Sequence, residues 1–158
     1  MEYFGHLNLW QTQNMNDKLR KKLAYLQVNK YANKLEGIDS FSIIDGKKED
    51  YSWYKENLNS FWLIKRIDWS AKLEQPVAWR ELSGIVREFL KEHPVASGVQ
   101  LFEDTIALNL RITNFDLLLN SIFKYNGNYD LSLLILNPER LLMIDDSEYS
   151  VYIKYIEQ

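Results

Sequence analysis

The chain has 158 residues, of which 46% are hydrophobic, 14% aromatic and 26% charged, and its formal net charge is -3. This length and apolar content fit one globular domain with its own core and exclude wholesale disorder. Cysteine is absent and only two histidines occur. Disulfides, thiolate metal sites, cysteine nucleophiles and most zinc sites are therefore excluded, and we expect neither a metal nor a cofactor.

The N-terminal region carries no signal for export or membrane insertion. No apolar run approaches the roughly 20 residues of a transmembrane helix, and Glu2 precedes the first Lys or Arg, the reverse of a secretory signal. We expect a cytoplasmic protein with one domain, 1–158, in which residues 1–14 can form a loosely held extension.

The first predicted elements are a helix and a strand. Hydrophobic spacing predicts a helix over residues 16–35, which ends at Gly37. Four residues are expected on its inner side: Leu19, Leu23, Leu26 and Tyr31. The short β-branched run Ile38–Asp45 predicts a strand, and Asp45-Gly46 predicts the turn after it.

A short helix over Glu49–Leu58 is expected next, followed by a strand over Phe61–Trp69, where apolar residues alternate. On such a strand Trp62 lies opposite Phe61 and Trp69, so both faces carry large rings. Core packing accounts for one face. The other is either covered by a helix or is a binding surface, where Trp and Tyr often anchor contacts.

Three further elements are predicted before the C-terminal region. Pro76 and an apolar stripe at three-four spacing indicate a helix over Val77–Glu92. Alternation predicts a strand over Thr105–Thr113. Asn114 is a suitable cap for a helix over Phe115–Tyr125, which Asn126-Gly127 would end.

The C-terminal region predicts a three-stranded β-meander. Its runs are Tyr129–Leu136, Leu141–Ile144 and Tyr149–Ile156. Connections this short require antiparallel neighbours. We therefore expect an α+β fold, a single domain with a mostly antiparallel sheet that ends in this meander, and three to four helices packed on one face of the sheet.

Charge is unevenly distributed along the chain. Residues 1–94 carry 15 Lys/Arg and 13 Asp/Glu, whereas residues 95–158 carry 4 and 9. The basic excess lies in residues 18–34 of the first helix, and the acidic excess in the last turn and at Glu103 and Asp104. Such asymmetry can mark a partner of opposite sign, or it can be an ordinary solvated surface.

The sequence contains no motif that indicates catalysis. Asp145, Asp146 and Glu148 lack the spacing of a calcium loop, and aspartates are common in hairpin turns. Asp45-Gly46-Lys47 resembles half of a metal-dependent nuclease centre, but turn formation explains it fully. No glycine-rich phosphate loop or nucleophile elbow occurs. We expect no catalytic residue, although a carboxylate-only enzyme leaves little trace in sequence.

Three function classes stay open. A protein-binding inhibitor would use the acidic C-terminal half and the aromatic faces against a basic partner. A nucleic-acid-binding or regulatory protein would use the basic helix 18–34, but the overall acidity argues against nucleic acid. A small enzyme would need a carboxylate pocket with perturbed pKa values.

The run Tyr129–Leu136, followed by Leu141–Ile156, resembles immunity proteins of bacterial polymorphic-toxin and contact-dependent inhibition systems. The resemblance implies a non-catalytic protein that binds a cognate toxin domain, often a basic nuclease, and blocks its active site. For this function we expect acidic groups to steer the partner and aromatic side chains to anchor it. The candidate residues are Glu103, Asp104, Asp145, Asp146, Glu148, Trp62, Tyr149 and Tyr152.

Overall fold

The computed structural model describes residues 17–47, 49–102 and 106–158. The α-helices of this part of the chain are α1 (Asp17–Ala32), α2 (Ser52–Asn59), α3 (Trp79–Glu92) and α4 (Phe115–Asn126), and a 3-10 helix spans Phe61–Leu63. The strands are β1 (Ile38–Asp45), β2 (Trp69–Glu74), β3 (Ser97–Phe102), β4 (Ile106–Ile112), β5 (Leu131–Ile135), β6 (Arg140–Asp146) and β7 (Ser150–Glu157). The expected extension at residues 1–14 lies outside the described residues.

All seven strands form one antiparallel sheet in the order β1-β4-β3-β5-β6-β7-β2. The α+β fold and the terminal meander β5-β6-β7 are therefore confirmed. The meander does not lie at an edge of the sheet, because β2 pairs with β7 and β3 pairs with β5.

The two faces of the sheet are covered by different helices. The larger core lies between one face and the helices α1, α3 and α4, and it includes Val28, Leu82, Leu119 and Tyr155. On the other face, α2 and the 3-10 helix pack over a smaller cluster that includes Tyr54. The expectation that all helices pack on one face is therefore wrong, because Tyr54 of α2 and Tyr51 just before it are buried against the opposite face of the sheet.

The caps predicted for α4 are confirmed. The side chain of Asn114 accepts a hydrogen bond from the backbone N–H of Leu117, and Gly127 ends the helix with φ +73°. Gly37 also has φ +73°, and a Cβ there would lie 2.1 Å from the carbonyl oxygen of Asn114. Only glycine fits this position, where the loop after α1 meets the start of α4.

Two details of the predicted elements are wrong. Phe61–Trp69 is not a strand, because Phe61 packs into the smaller cluster and its carbonyl oxygen accepts a hydrogen bond from Lys154, which holds a tight 3-10 turn. In α1, Leu19 and Leu26 are exposed. Tyr31 is buried as predicted, and the rest of the inner face of α1 is formed by Ala24, Val28 and Ala32.

Candidate functional site

Three of the predicted site residues lie together on the α2 side of the sheet. Asp145 of β6 is the register partner of Tyr152 of β7. The ring of Trp62 contacts the ring of Tyr152 edge-on, with 4.8 Å between centroids. The 3-10 helix brings Trp62 to this position. We use the name aromatic patch for Phe61, Trp62, Leu63 and Tyr152.

The aromatic patch is exposed and yet held in place. Trp62 is 57% exposed and Leu63 is 79% exposed. The Nζ of Lys154 lies 4.2 Å from the ring centroid of Phe61 and 5.3 Å from that of Trp62, and it donates to the Phe61 carbonyl at 2.6 Å. Burial lowers the pKa of Lys154, and the nearby carboxylate of Asp145 acts in the opposite direction. Cation–π contacts with Lys154 and one hydrogen bond from it therefore hold the rings of Phe61 and Trp62 in place.

Charges around the aromatic patch pair with one another. Lys72 lies 3.3 Å from Glu74, and Arg66 lies 3.7 Å from Asp68. Lys154 in turn lies near Asp145. The carboxylates near the aromatic patch are thus each close to a cation. Of the predicted acidic residues, Asp145 lies opposite Tyr152 and Glu148 precedes Tyr149 in the chain.

The remaining residues of the acidic turn are in different environments. The carboxylate of Asp146 accepts hydrogen bonds from Gln75 Nε2 at 2.7 Å and from the backbone N–H of Tyr129 at 3.0 Å. Its two oxygens are thus engaged within the protein. Glu148 and Tyr149 are exposed at the tip of the β6–β7 hairpin. Glu103 and Asp104 lie outside the described residues.

A cleft of about 740 Å³ opens where β3 and β5 diverge. The two strands are paired only at Val99 and Leu134. Beyond this pair, Gln100 lines one side of the cleft and Ser132 lines the other. The cleft reaches from α1 on one face of the sheet to Phe61 on the other face.

Two tyrosines provide hydrogen bonds at the divergence of β3 and β5. The hydroxyl of Tyr54 lies 2.7 Å from Ser132 Oγ and also hydrogen-bonds the backbone of Leu101. Burial raises the pKa of Tyr54 to about 12. The hydroxyl of Tyr31 donates to Gln100 Oε1 at 3.0 Å, and burial raises the pKa of Tyr31 well above its ordinary value.

The cleft was not predicted from the sequence. Tyr31 was expected only as a core residue of the first helix, and Gln100 lay in a segment without a predicted element. Polar side chains in a strand carry no periodic signal of their own, since only the pairing of β3 with β5 places Gln100 near Ser132. The sequence feature that could have indicated this site is Gln100 itself, a polar residue that lies between Val99 and Leu101 in an apolar run.

In residues 17–47, 49–102 and 106–158, no group of three or more His, Asp or Glu side chains is arranged to hold a metal ion. None of the helices in the same residues is both long enough and apolar enough to cross a membrane. Comparison of the chain with protein-family models, curated proteins and solved structures found no match.

Proposed function

We propose that this chain is a non-catalytic binding protein that inhibits a cognate protein toxin in the bacterial cytoplasm by covering the toxin's active site. The observation that carries the proposal is the aromatic patch, in which Trp62 and Leu63 are more than half exposed. Protein interfaces concentrate their binding free energy in a few such aromatic and apolar side chains.

The fixed orientation of Trp62 supports this role. Its ring contacts Tyr152 and lies over Lys154, so little side-chain freedom remains to be lost when a partner binds. Anchors that are ordered before binding reduce the entropic cost of association. The adjacent Leu63 extends the apolar surface without any polar atom that would need a partner.

The charge arrangement refines the expected partner. Because Lys72, Arg66 and Lys154 are balanced by nearby carboxylates, the aromatic patch favours an apolar pocket rather than a strongly basic surface. Glu148, at the tip of the β6–β7 hairpin, is an exposed acidic group available for steering a basic partner. We expect Glu148 to affect the association rate and Trp62 to affect the dissociation rate.

The test uses the product of the gene adjacent to this one. We expect that product to be toxic when expressed alone, to be neutralised by this protein and to bind it directly. Trp62→Ala and Leu63→Ser should each weaken binding at least tenfold, about 1.4 kcal/mol or more.

Leu117→Ser is the matched control, because Leu117 is also an exposed leucine but lies on α4, on the other side of the sheet. It should change the dissociation constant less than twofold. If the product of the adjacent gene is toxic but binds all three variants as tightly as it binds the wild type, the aromatic patch is not the binding surface. A neighbour that is neither toxic nor bound would contradict the inhibitor function itself.

A further inference from the structure

The cleft between β3 and β5 contains a buried polar side chain with unused hydrogen-bonding capacity. Gln100 is only 8% exposed. Its Oε1 accepts a hydrogen bond from Tyr31. Its Nε2 has no hydrogen-bond partner in the part of the chain that the structure describes.

The Gln100 amide group faces the cleft. Among the described residues, Asp116 Oδ1 is the one side-chain polar atom that is both fully enclosed and unpartnered. Gln100 Nε2 is also unpartnered but is not among the fully enclosed atoms, so it is accessible to solvent. Because Gln100 lines the cleft, this access is through the cleft. A carboxamide N–H without a partner in a largely buried position costs free energy that a ligand oxygen can offset.

The walls of the cleft combine apolar and polar side chains. Rings come from Phe61, Phe102 and Tyr125, aliphatic side chains come from α1, β5 and β6, and polar or charged side chains make up the rest of the lining. The ring of Tyr31 packs edge-on against both Phe102 and Tyr125, which places these rings around the Tyr31–Gln100 hydrogen bond. The volume of about 740 Å³ lies in the range of small-molecule sites.

The charges that line the cleft do not select strongly for an ion. Lys30 carries one positive charge there, and Asp130 and Asp145 carry the negative ones. Asp145 lies near Lys154, just outside the cleft, and Asp130 Oδ1 accepts the backbone N–H of Asp146 at 2.8 Å. When Lys154 is counted, two positive and two negative charges lie at or beside the cleft, so a ligand without net charge is favoured over an anion or a cation.

We propose that this cleft binds an uncharged small molecule with an aromatic body and a carbonyl oxygen, which accepts a hydrogen bond from Gln100 Nε2. The inference goes beyond the proposed inhibition of a toxin, because it concerns a separate site with a different class of ligand. Phe61 belongs to the aromatic patch and also lines the cleft, whereas Trp62, Leu63 and Tyr152 do not line the cleft.

The test is an NMR titration of the full chain with benzamide, and with benzoate and benzylammonium as charged analogues of the same size. Benzamide should saturably shift the side-chain amide resonances of Gln100 and bind more tightly than either ion. Gln100→Met keeps the side-chain size but removes the donor, and it should weaken benzamide binding about tenfold.

Tyr31→Phe removes the hydrogen bond that holds the Gln100 carboxamide, so it should also weaken benzamide binding. Leu117→Ser is the control, because Leu117 is an exposed leucine on α4 that does not line the cleft, and it should change benzamide affinity less than twofold. Trp62→Ala should also leave this affinity unchanged, which separates the cleft from the aromatic patch. No saturable shift of the Gln100 resonances in the wild type, or equal binding by Gln100→Met with a native-like backbone spectrum, would overturn the proposal.

Discussion

The hydroxyl of Tyr54 lies 2.7 Å from Oγ of Ser132 and connects two strands that have already separated. Leu101, whose backbone also bonds this hydroxyl, belongs to β3, and Ser132 belongs to β5. The backbone pairing between these strands is limited to Val99 and Leu134. A side chain from α2 thus replaces ladder hydrogen bonds at the centre of the sheet.

Tyr54→Phe should lower the free energy of unfolding by about 1–3 kcal/mol, because it leaves the groups on Leu101 and Ser132 without their partner. The measurement is urea denaturation followed by tryptophan fluorescence. Tyr51→Phe is the matched control, since Tyr51 is also buried but its hydroxyl has no hydrogen bond within the described residues. Equal losses in both variants would show that the bridge contributes nothing specific.

Stability should fall at alkaline pH because the buried tyrosines resist ionisation. An unfolded tyrosine ionises near pH 10, whereas Tyr54 in the folded protein has a pKa of about 12. The stabilising contribution of Tyr54 is therefore complete below about pH 10 and is lost as the pH rises through about 12. Tyr31 acts in the same direction, because its pKa is also raised by burial.

The check is to measure the free energy of unfolding of wild type and Tyr54→Phe between pH 9 and pH 12. We expect the wild type to lose about 2–3 kcal/mol more than the variant over this interval. Parallel curves would mean that Tyr54 ionises at its ordinary pKa.

Asp146 and Glu148 lie two residues apart in the β6–β7 hairpin but should respond differently to alanine. Asp146→Ala removes acceptors from Gln75 and from the Tyr129 backbone, and we expect a loss of about 1–3 kcal/mol. Glu148→Ala changes an exposed side chain and should stay within about 0.5 kcal/mol of the wild type. Thermal unfolding of the two variants makes the comparison, and a stable Asp146→Ala protein would contradict a structural role for this carboxylate.

Glycines at positions 98 and 84 should respond to alanine with opposite signs. A Cβ at Gly98 would lie 2.5 Å from the side chain of Leu133, so Gly98→Ala should cost about 1–3 kcal/mol. A Cβ at Gly84, inside α3, would meet nothing within 4 Å. Gly84→Ala should therefore stabilise the protein by about 0.5–1 kcal/mol. Denaturant midpoints of both variants test this, and a neutral Gly98→Ala would mean that Leu133 moves aside freely.

Prediction from the sequence succeeded for the elements whose ends are set by residues close to them in the chain. The α4 helix has its cap at Asn114 and its end at Gly127, and the hairpins of the meander have short turns. These features depend on a few consecutive residues, so the sequence alone was sufficient.

The prediction failed where distant residues decide the conformation. Phe61 begins a 3-10 helix because Lys154, far along the chain, bonds its carbonyl oxygen. The cleft depends on the angle between β3 and β5, which no periodicity records. Of the predicted site, the proximity of Trp62 to Tyr152 likewise became visible only in three dimensions.

The strand order also constrains how the protein folds during synthesis. β2 ends at Glu74, but its partner in the sheet, β7, begins only at Ser150. β4 can pair with β1 and β3 much earlier, so the emerging chain carries β1, β3 and β4 as a partial sheet while β2 has no strand to pair with. Such late, long-range pairing slows folding and leaves the apolar face of β2, formed by Trp69, Ala71 and Leu73, accessible to aggregation or to chaperones until β7 has been synthesised.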